Sequence, residues 1–166
     1  MEIYLVRHAI AAERDAEAWP DDSLRPLTDR GRRRFRAAAR GLRVLGAVVE
    51  VSLASPYARA WETAQIAQAE AGWPAPTPCE ALAIGNPASV VRVLAEQRGR
   101  GSVGVVGHEP LLSEVLAYLL ASSARAMAAE WKKGGVARVR CLDAPAEGSG
   151  ALLEFLPPRV LRALAP

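Results

Sequence analysis

An alternation along the chain does most to restrict its fold. Short apolar runs closed by Gly, Pro or charged residues alternate with longer stretches in which apolar residues recur every three to four positions. Ile3 to Val6, Val49 to Ala54 and Val103 to Val106 are long enough for buried strands and too short for stable helices. From Asp29 to Leu45, by contrast, Phe35, Ala38, Ala39, Leu42 and Leu45 fall on one helical face, with Thr28 as N-cap and Gly46 as the stop. Further helices are expected from Ser55-Pro56 to about Ala71, from Pro87 to about Gln97, from Leu111 to Leu120 and after Pro158. An extended piece is expected near Pro76 to Ala81, and closing strands from Val136 to Leu142 and from Ala151 to Leu156. Strands alternating with helices predict an α/β protein: one three-layer domain over residues 1–166, with a mostly parallel central sheet and helices on both faces. With 166 residues, 51% of them apolar, the chain can bury a sizeable core.

Several function classes are disfavoured. No apolar run is long enough to cross a bilayer, and the first residues read as a strand, not as an export signal, so no membrane partner is expected. Cys79 and Cys141, the two cysteines, make no disulfide framework and suit a reducing, cytoplasmic setting. The net charge is +3 and its positive part is mostly Arg. The arginines between Arg30 and Arg43 fill the polar faces of a regular amphipathic helix, with almost no aromatic residues among them. They read as a solvated surface, and no nucleic-acid partner is expected.

The chemistry lies at the strand ends. The chain has two histidines: His8 directly follows the first strand and His108 follows the Val103 strand. In an open parallel sheet, ligands bind just beyond the carboxyl ends of the strands. Zinc would need three or four ligands, and neither histidine belongs to a metal-binding motif. Arg7, beside His8, opposes a cation and favours an anion, so no metal or other cofactor is expected. Arg59 falls near the start of the second helix, where a cation opposes the helix dipole, which points to service in a site; the structural alternative is a pair with Glu62. Arg7, Arg59 and free N–H groups at a helix start make a phosphate pocket. The same cations and helix start keep the imidazoles neutral, and a neutral imidazole is the form that can attack phosphorus.

These residues resemble a known family. Leu5-Val6-Arg7-His8-Ala9, Ser55-Pro56-Tyr57-Ala58-Arg59-Ala60-Trp61-Glu62-Thr63-Ala64 and Val106-Gly107-His108-Glu109-Pro110 are similar to the three motifs of the histidine phosphatase, or phosphoglycerate-mutase-like, superfamily. Arg25-Pro26-Leu27-Thr28 followed by Gly31, with the short chain length, resembles the small SixA-type phosphohistidine phosphatases, which lack a large helical cap insertion. The resemblance implies a metal-independent phosphatase with His8 as nucleophile. It implies that Arg7, Arg25, Arg59 and His108 bind the phosphoryl group, and that Glu80 is the general acid in preference to Glu109. Ala9 departs from the Gly usual in the wider family. The implied substrate is a phosphohistidine on a protein or, alternatively, a small phosphoester; a non-catalytic phosphoprotein-binding module is a third reading.

Overall fold

The computed structural model describes residues 1–121, 123 and 126–166. Six strands form one sheet: β1 (Glu2–Arg7), β2 (Val51–Ala54), β3 (Thr77–Pro78), β4 (Ser102–Gly107), β5 (Val136–Cys141) and β6 (Gly150–Leu156), in the order β3-β2-β4-β1-β5-β6. The pairs β1–β4, β2–β4 and β2–β3 are parallel, whereas β5 and β6 close the sheet as an antiparallel hairpin. The helices are α1 (Asp29–Val44), α2 (Ala58–Ala71), α3 (Ala81–Ile84), α4 (Pro87–Glu96), α5 (Leu111–Ala121) and α6 (Pro158–Leu164). This is the mostly parallel α/β domain that the alternation predicts.

Side chains alternate across a strand, so β1 feeds both cores. Tyr4 and Val6 pack on one face with α1, α2 and Leu161 of α6, and Ile3 and Leu5 pack on the other with α4 and α5. Both faces of the central strands are covered, which is why β1 and β4 read as continuous apolar runs. Among the described residues no helix is long and apolar enough to cross a membrane. Cys79 and Cys141 are free and buried.

Two local expectations change. The second helix starts at Ala58, and neither Ser55 nor Pro56 caps it: Tyr57 is the N-cap, without a side-chain cap bond. The Ser55 hydroxyl is engaged instead with the half-buried His108. The extended piece after α2 shrinks to Thr77–Pro78, because the chain turns at once into the single turn of α3.

The segment Arg25 to Gly31 is tied tightly to the residues after β1. Ala12 N–H donates to the Pro26 carbonyl and Thr28 N–H to that of Ile10, while Ala11 and Leu27 form an isolated antiparallel bridge. Thr28 caps α1 by accepting from Gly31 N–H at 2.9 Å. A Cβ at Gly31 would stand 2.0 Å from the carbonyl oxygen of Ile10, so only glycine lets α1 start this close to the loop that follows β1. Gly31→Ala should therefore destabilise the fold by about 1–3 kcal/mol, the usual range for an overpacked site. Urea unfolding checks this, and an unchanged midpoint would refute the close approach.

Candidate active site

The two histidines are brought together by strand register. β1 and β4 pair in parallel with Arg7 opposite Gly107, and each strand is followed at once by a histidine. His8 N–H donates to the Gly107 carbonyl at 3.0 Å, which carries the pairing one step past the strands. The ring centroids of His8 and His108 are 5.1 Å apart. Next to β4, Ser55 follows β2, and its hydroxyl lies 2.9 Å from His108 Nε2. The Tyr57 ring centroid sits 5.1 Å from that of His108.

The hydrogen bonds select a tautomer for His8. Its Nδ1 is 2.7 Å from the carbonyl oxygen of Ala9, which can only accept. Nδ1 therefore carries the proton, and Nε2 keeps its lone pair. Thr63 holds this turn in place: its hydroxyl oxygen accepts from Ala9 N–H at 3.0 Å while it donates to the Arg59 carbonyl at 2.6 Å. The first motif is thus joined to the second through one buried threonine.

Both imidazoles are held neutral. Burial first, with His108, Arg59 and Arg7 nearby, pushes the His8 pKa down to about 3, against the contrary pull of the Ala9 carbonyl. Burial and the guanidiniums of Arg59, Arg25 and Arg7 push His108 down to about 4, against the opposing field of Asp22.

A cavity of about 470 Å³ contains His8 and His108 and is lined by Arg7, Arg25, Arg59, Asp22, Glu109 and Lys133, with the loop 11–14 at its rim. All four phosphate-binding residues expected from sequence therefore meet at one place. Arg59 does not pair with Glu62, which pairs with Arg32. It reaches Asp22 instead, with Nη2 3.0 Å from Oδ2 and Nη1 donating to the Asp22 carbonyl at 2.7 Å. Arg25 Nε donates to Asp22 Oδ1 at 2.8 Å and Nη1 to the Ala12 carbonyl at 2.7 Å. Arg7 Nη1 donates to the Trp131 carbonyl.

Glu80 departs from expectation. It is exposed at the start of α3 and is not among the residues that line the cavity. Of the two candidate acids the one that lines the cavity is Glu109, which ranks second by sequence; Asp22 and Glu13 are the other carboxyls of its lining. Burial pushes the Glu109 pKa up, although the Ser113 hydroxyl donates to its Oε2 and Arg7 is near. Asp22 and Lys133 were not anticipated. Asp22 opens a single 3-10 turn three residues before Arg25, and only its convergence with Arg59, far along the chain, marks it. Among the described residues, the buried polar side-chain atoms without a protein partner are Arg7 Nε, Arg59 Nε, His108 Nδ1, Glu109 Oε1 and, outside the site, Ser52 Oγ. Folded proteins rarely tolerate such atoms, and their concentration here marks a place built for a polar ligand. No group of three or more His, Cys, Asp or Glu side chains that could hold a metal ion occurs among the described residues.

Comparison with known proteins agrees with this geometry. The model of the histidine phosphatase superfamily (branch 1) matches residues 3–83, which include Arg7, His8, Arg25 and Arg59 and stop short of His108. An uncharacterized protein of Picosynechococcus sp. (strain ATCC 27264 / PCC 7002 / PR-6) is 38% identical over 117 residues, covering 69% of this chain and 70% of that one. The structure of the protein histidine phosphatase SixA complexed with tungstate superposes with a TM-score of 0.83 at 27% identity, over 97% of this chain and 99% of that one. The alpha-ribazole phosphatase from Shigella flexneri shares the fold, with a TM-score of 0.71 at 16% identity over 95% of this chain and 97% of that one.

The depressed His8 pKa has a measurable consequence. The folded value, about 3, lies below the unfolded 6.5, so within that window the unfolded chain binds a proton that the folded chain refuses. Stability therefore falls as pH drops from 6.5 toward 3. Acidification to about pH 4.5 should remove about 2 kcal/mol through His8 alone. In urea titrations His8→Gln should lose that much less than the wild type; equal losses would refute the buried neutral imidazole.

Proposed function

The chain belongs to the histidine phosphatase superfamily, and from that premise we propose that it is a metal-independent phosphatase that works through a phospho-His8 intermediate. One observation carries the reading: a neutral imidazole whose Nε2 lone pair is freed by the Nδ1–Ala9 bond stands among three guanidiniums and a second neutral imidazole. His8 Nε2 attacks the phosphorus, and the bond from phosphorus to the leaving group breaks with its electron pair on that group. Arg7, Arg25 and Arg59 meet the charge on the phosphoryl oxygens, and His108 donates a hydrogen bond to one of them. Water then attacks the phosphorus of phospho-His8, inorganic phosphate departs, and the neutral imidazole returns. The tungstate complex of the similar SixA structure supports the anion cradle, since tungstate is a tetrahedral oxyanion like phosphate.

Asp22 is an internal anion in this cradle. Its carboxylate holds Arg25 and Arg59, which would otherwise repel each other, in fixed positions. Its pKa is lowered chiefly by the bond from Arg25, against partial burial, so it stays ionised. An entering phosphoryl group shares these guanidiniums with Asp22 and finds them already oriented.

The preferred substrate is a phosphohistidine carried by a protein, in a cytoplasm that suits the two free thiols. Its leaving imidazole has a pKa near neutrality and departs without strong acid assistance. No helical domain is inserted over the carboxyl edge of the sheet among the described residues, which leaves room for a protein-borne group. A small phosphoester is the second reading, and Glu109 favours it. A half-buried carboxyl with a raised pKa beside His108 is suited to protonate an alkoxide.

Two expectations test these statements. Alkali-quenched enzyme should carry an acid-labile, alkali-stable phosphate on the peptide containing His8. Turnover should persist in EDTA and fall on the order of 10³-fold or more in His8→Ala. Near-normal turnover of that variant, or a metal requirement, would overturn the mechanism. Separately, Glu109→Gln should slow alkyl phosphoester hydrolysis at least about 10-fold more than phosphohistidine hydrolysis, whereas Glu80→Gln should leave both within about twofold. If Glu80→Gln is the more damaging variant, Glu109 is not the acid. If the wild type strongly prefers the small phosphoester, the phosphohistidine reading fails.

A further inference from the structure

A second cavity, of about 810 Å³, adjoins the first and shares Arg7 and Lys133 with it. Its charge is one-sided. Arg34 comes from α1, Lys132 and Lys133 from the segment before β5, and Arg159 and Arg162 from α6, against a single carboxylate, Glu130. Glu130 is already paired with Lys132. Among the described residues no ion pair is made by Arg34, Lys133, Arg159 or Arg162.

The contrast along α1 is informative. Arg32 pairs with Asp29 and Glu62, and Arg36 and Arg40 lie against Glu70 of α2. The fold thus supplies counterions along the side of α1 that meets α2 and supplies none toward the cavity. Partial burial and the neighbouring Arg34 both push the Arg162 pKa down, so these two guanidiniums repel each other with no acid between them. A concave, uncompensated cationic surface concentrates anions. Phe35, Phe155, Pro157 and Pro158 provide apolar wall, and the volume is that of a small-ligand site, not of an open stripe along which a polymer lies.

We propose that this cavity is a second anion subsite, which takes a carboxylate or phosphate group that the substrate carries in addition to the phosphoryl group transferred at His8. The proposal rests on His8 being the phosphoryl acceptor. Arg7 and Lys133 line both cavities, so one molecule can span them, with its carbon skeleton against the apolar wall and its second anion among Arg34, Arg159 and Arg162. The second anion comes either from a small bisphosphate or from an acidic side chain flanking a phosphohistidine.

The test compares the wild type with the double variant Arg34→Gln/Arg162→Gln, and with Arg159→Gln at an exposed position in case the double variant fails to fold. The monoanionic reference is p-nitrophenyl phosphate. One arm uses alkanediol bisphosphates of increasing chain length; the other uses phosphohistidine peptides flanked by Glu or by Ala. The wild type should prefer the dianionic member of at least one arm by roughly 10-fold in kcat/KM, through KM. The variants should abolish that preference and keep p-nitrophenyl phosphate within about twofold. The responding arm identifies the source of the anion. Absence of a preference in both arms, or a parallel loss on p-nitrophenyl phosphate, overturns the subsite. If the wild type transfers no phosphoryl group to His8, the catalytic reading falls first. The subsite is then decided by calorimetric titration of citrate into His8→Ala with and without the two arginine substitutions: binding lost only with the substitutions supports it, and equal binding overturns it.

Discussion

The parallel pairing of β1 with β4 is the constraint on which the site depends. It sets Arg7 opposite Gly107, so the residues that follow, His8 and His108, emerge at one level of the sheet edge. A slip of one residue would turn every side chain of β1 to the opposite face and separate the rings. Burial on both faces prevents such a slip, because Tyr4 and Val6 fill one core while Ile3 and Leu5 fill the other. The packing that stabilises the domain is therefore the same packing that aligns the imidazoles.

Electrostatics at this edge runs against ordinary folding preferences. Three guanidiniums converge near two imidazoles with one carboxylate, Asp22, between them. The imidazoles respond by staying neutral, and the guanidiniums are held by backbone carbonyls and by Asp22. An arrangement of this kind is poor for stability and good for an incoming dianion, since the donors need no reorganisation when charge arrives. The neighbouring cavity extends the cationic field along Arg34, Arg159 and Arg162. This gives the arginine-rich α1 two separate roles: one face binds α2 through carboxylates, and another lines a cavity.

The sequence by itself determined the element types, the α/β class and four of the residues that meet in the proposed phosphate cradle. Those properties follow from local periodicity, from caps such as Thr28 and from motifs lying directly at strand ends, all readable within a few residues. Tertiary structure decided which side chains complete the site. Asp22 becomes a cradle residue only because α2 carries Arg59 to it across 37 positions of chain. Ser55, expected at a helix start, serves the half-buried His108 because β2 lies beside β4. In one dimension Glu80 is preferred to Glu109 as the acid, and nothing local reverses that order. The reversal comes in three dimensions, where Glu80 is exposed at the start of α3 and Glu109 is half-buried against the cavity. Likewise Arg34 resembles its neighbours in α1 until the positions of α6 and of the segment before β5 show that, among the described residues, no carboxylate pairs with it. Distances between residues remote in sequence are set by packing, and periodicity carries no record of them.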